Sequence, residues 1–364
     1  MPPSKDLPAE AAGEGMGYKV TPGKFLAGCG IAALCAFCMA GLAAAQVPAP
    51  APRSQQAAPG QARPERSVSE WLARMHEASR LRSYAGTFVV SSGAGLSSAR
   101  IWHACDGQQQ LERVESLTGA PRSTFRRNEQ VVTFLPESRV VRIDRRESLG
   151  LFPDLLKSAE SSIPDFYTAR RLGGDRVAGF EADVVELAAR DNLRFGYRIW
   201  IEKRIGLVIK LQTMDGAGNV LEQAAFSELQ LDAPVRIDQL SRMMAAPEGW
   251  RVEKAEAVKT SAEAEGWHLK SAVAGFKPIN CYKRPLAGPP APEGTLQWIF
   301  SDGLAAVSLF LEGYDRQRHV QEGVFASGAT HTLTRRVQEW WLTAVGEVPP
   351  QTLKAFAQSL ERRR

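Results

Sequence analysis

Hydrophobic positions recur along this chain with three different periods. Residues 25–42 form a continuous uncharged apolar run, entered from Lys19 and Lys24 and left through Ala43, Ala44 and Ala45 before Gln46. Charged, then apolar, then small is the order of an export signal. Residues 67–81 place Val68, Trp71, Leu72, Met75 and Ala78 at helical spacing behind Ser67 and Glu70, a capping-box pair, and predict one amphipathic helix. From residue 84 the pattern becomes that of strands, expected at 84–91, 99–105, 110–117, 122–127, 130–135, 139–145, 176–189, 193–202, 207–214 and 220–231. Turn residues such as Gly119-Ala120-Pro121, Asn128-Glu129 and Asp215-Gly216 separate them. A short helix is expected at 153–160, with Pro153 in its first turn.

Strands this closely spaced favour an antiparallel meander, because a parallel sheet needs helices between its strands. One face of the predicted strand at 193–202 carries Leu193, Phe195, Tyr197, Ile199 and Ile201, while Arg194, Arg198 and Glu202 point the other way. Phe88, Val90 and Ile209 continue the apolar theme. A curved sheet with such a concave face encloses a cavity, with Phe88, Val90, Leu193, Phe195, Tyr197, Ile199 and Ile209 as candidate lining for a lipid chain, unless the N-terminal helix fills the concavity.

Residues 236–265 lose the alternation and read as a linker with helical turns. A second module is expected from Trp267 onward. Asp302-Gly303 predicts a two-residue hairpin between strands at 298–301 and 304–311, with further strands at 322–334 and 337–345. Leu353, Phe356, Ala357 and Leu360 share one face of a final helix. The organisation is therefore an export signal at 1–45, a tether at 46–65, a first domain at 66–235, the linker, and a second domain at 266–364. The tether contains Pro48, Pro50, Pro52, Pro59 and Pro64 and cannot bury a core.

Cleavage after Ala45 is the expected fate of the apolar run, and retention as a membrane anchor is the alternative. Leu26-Ala27-Gly28-Cys29 resembles a lipidation box but precedes the apolar core, so lipidation is not expected. The net charge of +5 is unchanged by removing residues 1–45, which hold three lysines and three acids. That balance is too weak to argue for nucleic acid and suits an acidic segment, an anionic membrane or a phosphorylated lipid. Outside the signal only Cys105 and Cys281 remain, either bridged or as two separate small residues.

No phosphate loop, zinc-protease motif or nucleophile elbow occurs, and no enzyme activity or cofactor is expected. His103 and Cys105 share a strand face, but a zinc site needs at least one more ligand, so an ordinary sheet face is the simpler reading. Arg122, Arg126, Arg127, Arg139, Arg142, Arg145 and Arg146 fall on successive strands. Guanidinium groups pair bidentately with carboxylate or phosphate, so the cluster suits an acidic peptide or a lipid phosphate; a solvated outer face is the alternative.

Several segments, in order, resemble the RseB/MucB family of periplasmic regulators of the sigma-E (AlgU-type) envelope-stress response. They include residues 69–81 leading into Tyr84, Gly119-Ala120-Pro121-Arg122, Ala188-Ala189-Arg190-Asp191, Tyr197-Arg198-Ile199-Trp200, Phe300-Ser301-Asp302-Gly303-Leu304 and Val345-Gly346-Glu347-Val348-Pro349-Pro350. Residues 267–277 depart from the family pattern. The resemblance implies an α+β, mostly antiparallel fold. Its large N-terminal half-barrel is like that of the lipoprotein carriers, with a helix on the concave face, and a smaller C-terminal α+β domain follows. It implies a periplasmic protein that binds the periplasmic part of an RseA/MucA-like anti-sigma factor and protects it from proteolysis. Lipopolysaccharide or lipoprotein acyl chains are the implied releasing ligands. A lipoprotein carrier without a regulatory role and an inert scaffold are the other readings, and self-association is left open.

Overall fold

The computed structural model describes residues 66–363 except 94, 107–108, 129, 146–161, 255–256 and 285–293. The apolar run, the tether and the helix expected at 153–160 lie outside the described residues. Helix α1 (Val68–Leu81) opens on its capping box: the Ser67 hydroxyl accepts the Glu70 N–H at 3.3 Å and the Glu70 carboxylate accepts the Ser67 N–H at 2.6 Å. Its stripe of Val68, Trp71, Leu72, Met75 and Ala78 is buried.

Six strands follow, β1 (Tyr84–Ser92), β2 (Gly95–Cys105), β3 (Gln110–Ser116), β4 (Ser123–Arg127), β5 (Gln130–Leu135) and β6 (Val140–Arg145). After the short α2 (Ile163–Phe166) come β7 (Tyr167–Val177), β8 (Phe180–Ala189), β9 (Gly196–Glu202), β10 (Val208–Met214) and β11 (Val220–Leu231), then α3 (Ile237–Arg242) and β12 (Arg251–Lys254). They form one twelve-stranded sheet, ordered β12-β6-β5-β4-β3-β2-β1-β11-β10-β9-β8-β7. Every pairing is antiparallel except β12 with β6. The sheet is open, since β12 and β7 each pair on one side only.

The sheet is also strongly curved. Thr133 on β5 and Tyr197 on β9 are seven strand steps apart. That is roughly 34 Å in a flat sheet, yet both line one cavity. Bulges at Thr87/Phe88, Val208/Lys210, Thr213/Met214 and Arg171/Gly173 help to bend the strands. Gly86 lets Phe226 lie across β1: a Cβ there would stand 2.9 Å from the Phe226 ring and 2.4 Å from the Glu228 carbonyl oxygen.

The second sheet runs β13 (Val258–Thr260), β15 (Lys277–Arg284), β16 (Thr295–Ser301), β17 (Ala306–Gly313), β20 (Trp340–Gly346), β19 (Thr330–Val337) and β18 (Gly323–Ser327). β14 (Trp267–Leu269) pairs separately with β21 (Leu360–Arg362). Helix α4 (Pro350–Ser359) buries Leu353, Phe356 and Ala357 in a core with Trp267, Trp298 and Phe300.

The structure revises the expected linker and the expected hairpin, and it decides between the two readings of the cysteines. The stretch read as a linker supplies β12 to the first sheet and β13 to the second; edge strands of four and three residues are too short to show a period. The Asp302-Gly303 turn is longer than two residues, because Ser301 pairs with Ala306. Asp302 organises it by accepting the N–H groups of Leu304 at 2.9 Å and Ala305 at 2.8 Å. Cys105 and Cys281 are both free, on strands of different sheets.

A buried arginine joins the two sheets. Arg194, in the segment before β9, donates through Nε to the Asp302 carboxylate at 2.8 Å, through Nη1 to Asp191 and through Nη2 to the Ala274 carbonyl at 2.8 Å. The side chains of Arg194 and Asp302 are both 0% exposed. The guanidinium lies 4.3 Å from the Phe166 ring centroid and 5.2 Å from that of Phe276. Gly275, at φ +83°, is required beside it, since a Cβ would come within 2.5 Å of Nη2. Removing one partner of such a pair strands a buried charge, whereas replacing both with apolar groups does not. Asp302→Ala should therefore cost about 3–5 kcal/mol in denaturant unfolding, and Arg194→Met with Asp302→Leu should recover much of that loss. An unshifted midpoint for Asp302→Ala would contradict this account of the joint.

Candidate functional site

The concavity is divided between a helix and a cavity. Trp71, Leu72 and Met75 of α1 pack with Tyr167, Val185, Leu187, Tyr197, Ile199 and Ile201 and fill the part nearest β7 to β9. What remains is a cavity of about 410 Å³, within the size range of small-ligand sites. Phe88 and Val90 from β1, Val114 from β3, Ile199 from β9, Leu211 from β10 and Ala224 from β11 make its apolar surface. Leu304 and Glu347, from the second sheet's loops, close over it.

Of the candidate residues, Phe88, Val90, Tyr197 and Ile199 line this cavity, and Leu193, Phe195 and Ile209 do not. Alternation holds only inside a strand, and β9 begins at Gly196. Leu193 instead packs on the second module's core, where its carbonyl accepts the Thr352 hydroxyl at 2.6 Å. Phe195 is buried beside His331, with ring centroids 5.8 Å apart. Ile209 sits at the bulge in β10 and is buried with Ala78, Tyr84 and Phe226.

The arginine cluster divides in the same way. Arg122 and Arg126 line the cavity. Arg127 donates to the Gln109 side chain at 2.6 Å, and Arg142 pairs with Glu253 at 3.3 Å on the surface. Arg139 follows the 3-10 turn Pro136–Ser138 in left-handed conformation, at φ 50°. The Arg145 side chain and Arg146 lie outside the described residues. Arg122 is exposed, and its guanidinium has no hydrogen-bond or ion-pair partner among the described residues.

Sequence reasoning missed the carboxylates. Glu112 pairs with Arg126 at 2.9 Å and stands 3.7 Å from His103 Nδ1, an ion-pair distance longer than a hydrogen bond. The three residues meet because β2, β3 and β4 align His103 with Glu112 and Glu112 with Arg126. Burial works against charge on Glu112, but Arg126 and His103 outweigh it and hold the carboxyl below its usual range. Burial likewise opposes charge on His103, yet the Cys105 thiol and Glu112 raise its pKa. His103 also stacks on Tyr84, with ring centroids 4.7 Å apart. Glu222 on β11 and Glu347 add two further carboxylates to the cavity wall. Reduced hydration raises both, and for Glu347 the charge of Glu222 adds to the effect. Among the described residues no group of three or more His, Cys, Asp or Glu can hold a metal.

The paired groups set a pH window for stability. A raised histidine pKa contributes stability that is complete below its ordinary value of 6.5 and is lost as pH rises through the folded value. The lowered Glu112 contributes above the ordinary carboxylate value of 4.5 and is lost on acidification through its folded value. Wild-type stability should therefore fall relative to His103→Gln as pH is raised from mildly acidic to mildly alkaline, in paired denaturant titrations. Parallel pH curves would show that His103 carries no such coupling.

The profile of the MucB/RseB N-terminal domain matches residues 67–244, and that of the MucB/RseB C-terminal domain matches residues 261–361. The chain is 29% identical over 313 residues to the sigma factor AlgU regulatory protein MucB of Pseudomonas aeruginosa, covering 80% of this chain and 90% of that one. It is 23% identical over 293 residues to the sigma-E factor regulatory protein RseB of Escherichia coli K12, covering 80% and 89%. The solved Pseudomonas aeruginosa MucA/MucB complex superposes with a TM-score of 0.63 at 26% identity, over 81% of this chain and 99% of that one. With both domain profiles matched in order across an open, mostly antiparallel fold, the protein belongs to the MucB/RseB family.

Proposed function

We propose that this protein is a periplasmic regulator that holds the periplasmic part of a MucA/RseA-like anti-sigma factor. Held there, that factor is shielded from its first proteolytic cut, and sigma-E-type signalling stays repressed. Residues 1–45 direct export and are removed. The protein acts by binding, without catalysis. The observation that carries this reading is the likeness to MucB in the solved MucA/MucB complex, over nearly the whole of that chain.

Release follows from the cavity. An amphiphile such as lipopolysaccharide or a lipoprotein acyl chain enters between the first sheet and Leu304, and where the ligand is lipopolysaccharide its phosphate meets Arg122 and Arg126. A ligand shifts the complex only if it prefers the free form. Each buried methylene is worth about 0.8 kcal/mol, so two that fit only the free form already weaken the complex by more than about tenfold. A lipoprotein carrier uses the same cavity, and the family's second domain favours the regulator.

Calorimetric titration of the purified protein with the anti-sigma periplasmic fragment should show tight binding. Saturating lipopolysaccharide should weaken it by at least about tenfold. Absence of binding overturns the regulatory reading and leaves the carrier; unchanged affinity at saturating lipid overturns release by ligand alone.

A further inference from the structure

The cavity wall carries two polar regions of opposite sign. At one lie Arg122 and Arg126, with Thr124 and Thr133 between β4 and β5. At the other, Tyr197, Thr213 and Glu222 form one row in register across β9, β10 and β11, and Glu347 joins them from the second module. Neither Glu222 nor Glu347 has a cationic partner among the described residues. Glu222 accepts the Ala329 N–H. Thr213 is only 5% exposed, yet its side chain lines the cavity and its hydroxyl has no hydrogen-bond partner among the described residues. The apolar surface of Val90, Leu211 and Ala224 lies along the same wall.

Two carboxylates and a free hydroxyl give three acceptors on one corner. Among the described residues no group of three or more His, Cys, Asp or Glu gathers here to hold a metal, whereas an ammonium, with three N–H donors and no acceptor, matches these acceptors. Opposite, the Arg122 guanidinium has no ionic partner among the described residues and, beside Arg126 with its Glu112 pair, suits phosphate. We propose that the cavity selects an amphiphile whose headgroup carries a primary amine beside its phosphate, of the phosphoethanolamine class. The amine sits among Thr213, Glu222 and Glu347, and the phosphate faces Arg122 and Arg126. This rests on the reading of the cavity as a lipid site and specifies its ligand. The charged groups facing the amine corner are Glu112, Arg122 and Arg126 across the cavity, with the Tyr197 phenol beside it. Burial raises the Tyr197 pKa well above its usual value, so the phenol stays neutral. The two glutamates crowd each other when ionised, and a bound ammonium relieves that repulsion.

The test compares lysophosphatidylethanolamine with lysophosphatidylglycerol of the same acyl chain, both below micelle formation, binding to the purified protein by calorimetry. The ethanolamine lipid should bind about tenfold tighter, the worth of one charge-assisted contact set. Glu222→Gln combined with Glu347→Gln should bring the ratio close to one while binding of the glycerol lipid persists, which also reports that the variant is folded. Acidification through the raised carboxyl pKa values should erase the preference in the wild type. Equal affinities in the wild type, or a ratio untouched by the double substitution, overturn the amine site while the lipid cavity stands. If neither lipid binds, the cavity reading falls as well. Competition by chain-free phosphoethanolamine at the same concentration as the lysolipid would overturn the amphiphile class. Displacement of the bound lipid by a lysine-bearing anti-sigma peptide, but not by its lysine-to-glutamine version, would reassign the corner to a peptide.

Discussion

The buried Arg194–Asp302 pair is the contact from which the rest of the arrangement follows. Asp302 accepts from Arg194 of the first module and from the Leu304 and Ala305 N–H groups of its own loop. Leu304 thereby reaches the cavity of the first sheet. One carboxylate thus fixes both the docking of the modules and part of the cavity's roof. Burying two charges costs several kcal/mol of hydration per ion. Here that cost is offset because Nε, Nη1 and Nη2 of the guanidinium each find an acceptor and its faces lie on Phe166 and Phe276. A hydrophobic joint would hold as well, but it would not fix the register of the loop that carries Leu304.

Charge on the cavity wall follows the same logic with a different outcome. At Arg126 the charge is answered within the sheet by Glu112, with His103 behind it. Arg122, Glu222 and Glu347 are left without ionic partners among the described residues. A wall that satisfied every charge internally would be a poor receptor. Unanswered charges beside an apolar surface offer a ligand contacts that water supplies less well at such a site.

The legible parts of the fold are those set by local rules. The capping box and apolar stripe of α1 could be read directly because both lie within one helix. Phe88 and Val90 could be read because β1 alternates regularly against β2. Leu193 and Phe195 misled because the loop that holds Asp191 and Asn192 extends to Phe195, and β9 begins only at Gly196. Ile209 misled because a bulge interrupts β10 where the pattern looks unbroken. Glu222 and Glu347 were invisible for another reason: 125 positions separate them in sequence, and only the docking of the two modules brings them to one cavity. Arg122 and Arg126 stood out as members of a cluster, but nothing local distinguishes them from Arg127 and Arg142, whose partners come from residues 109, 241 and 253.

The position of the cavity determines what its occupant can control. Its floor belongs to the first sheet, while Leu304 and Glu347 belong to the second module. A ligand confined to the floor would bind equally well however the modules sat, and so would shift no equilibrium. A ligand that also touches Leu304 or Glu347 gains or loses contacts as the modules move, and that difference is the free energy available for regulation. The Arg194 joint limits such movement, because any displacement that separates Asp302 from Arg194 leaves the Asp302 carboxylate buried without its cation and Arg194 with Asp191 alone as its anion among the described residues.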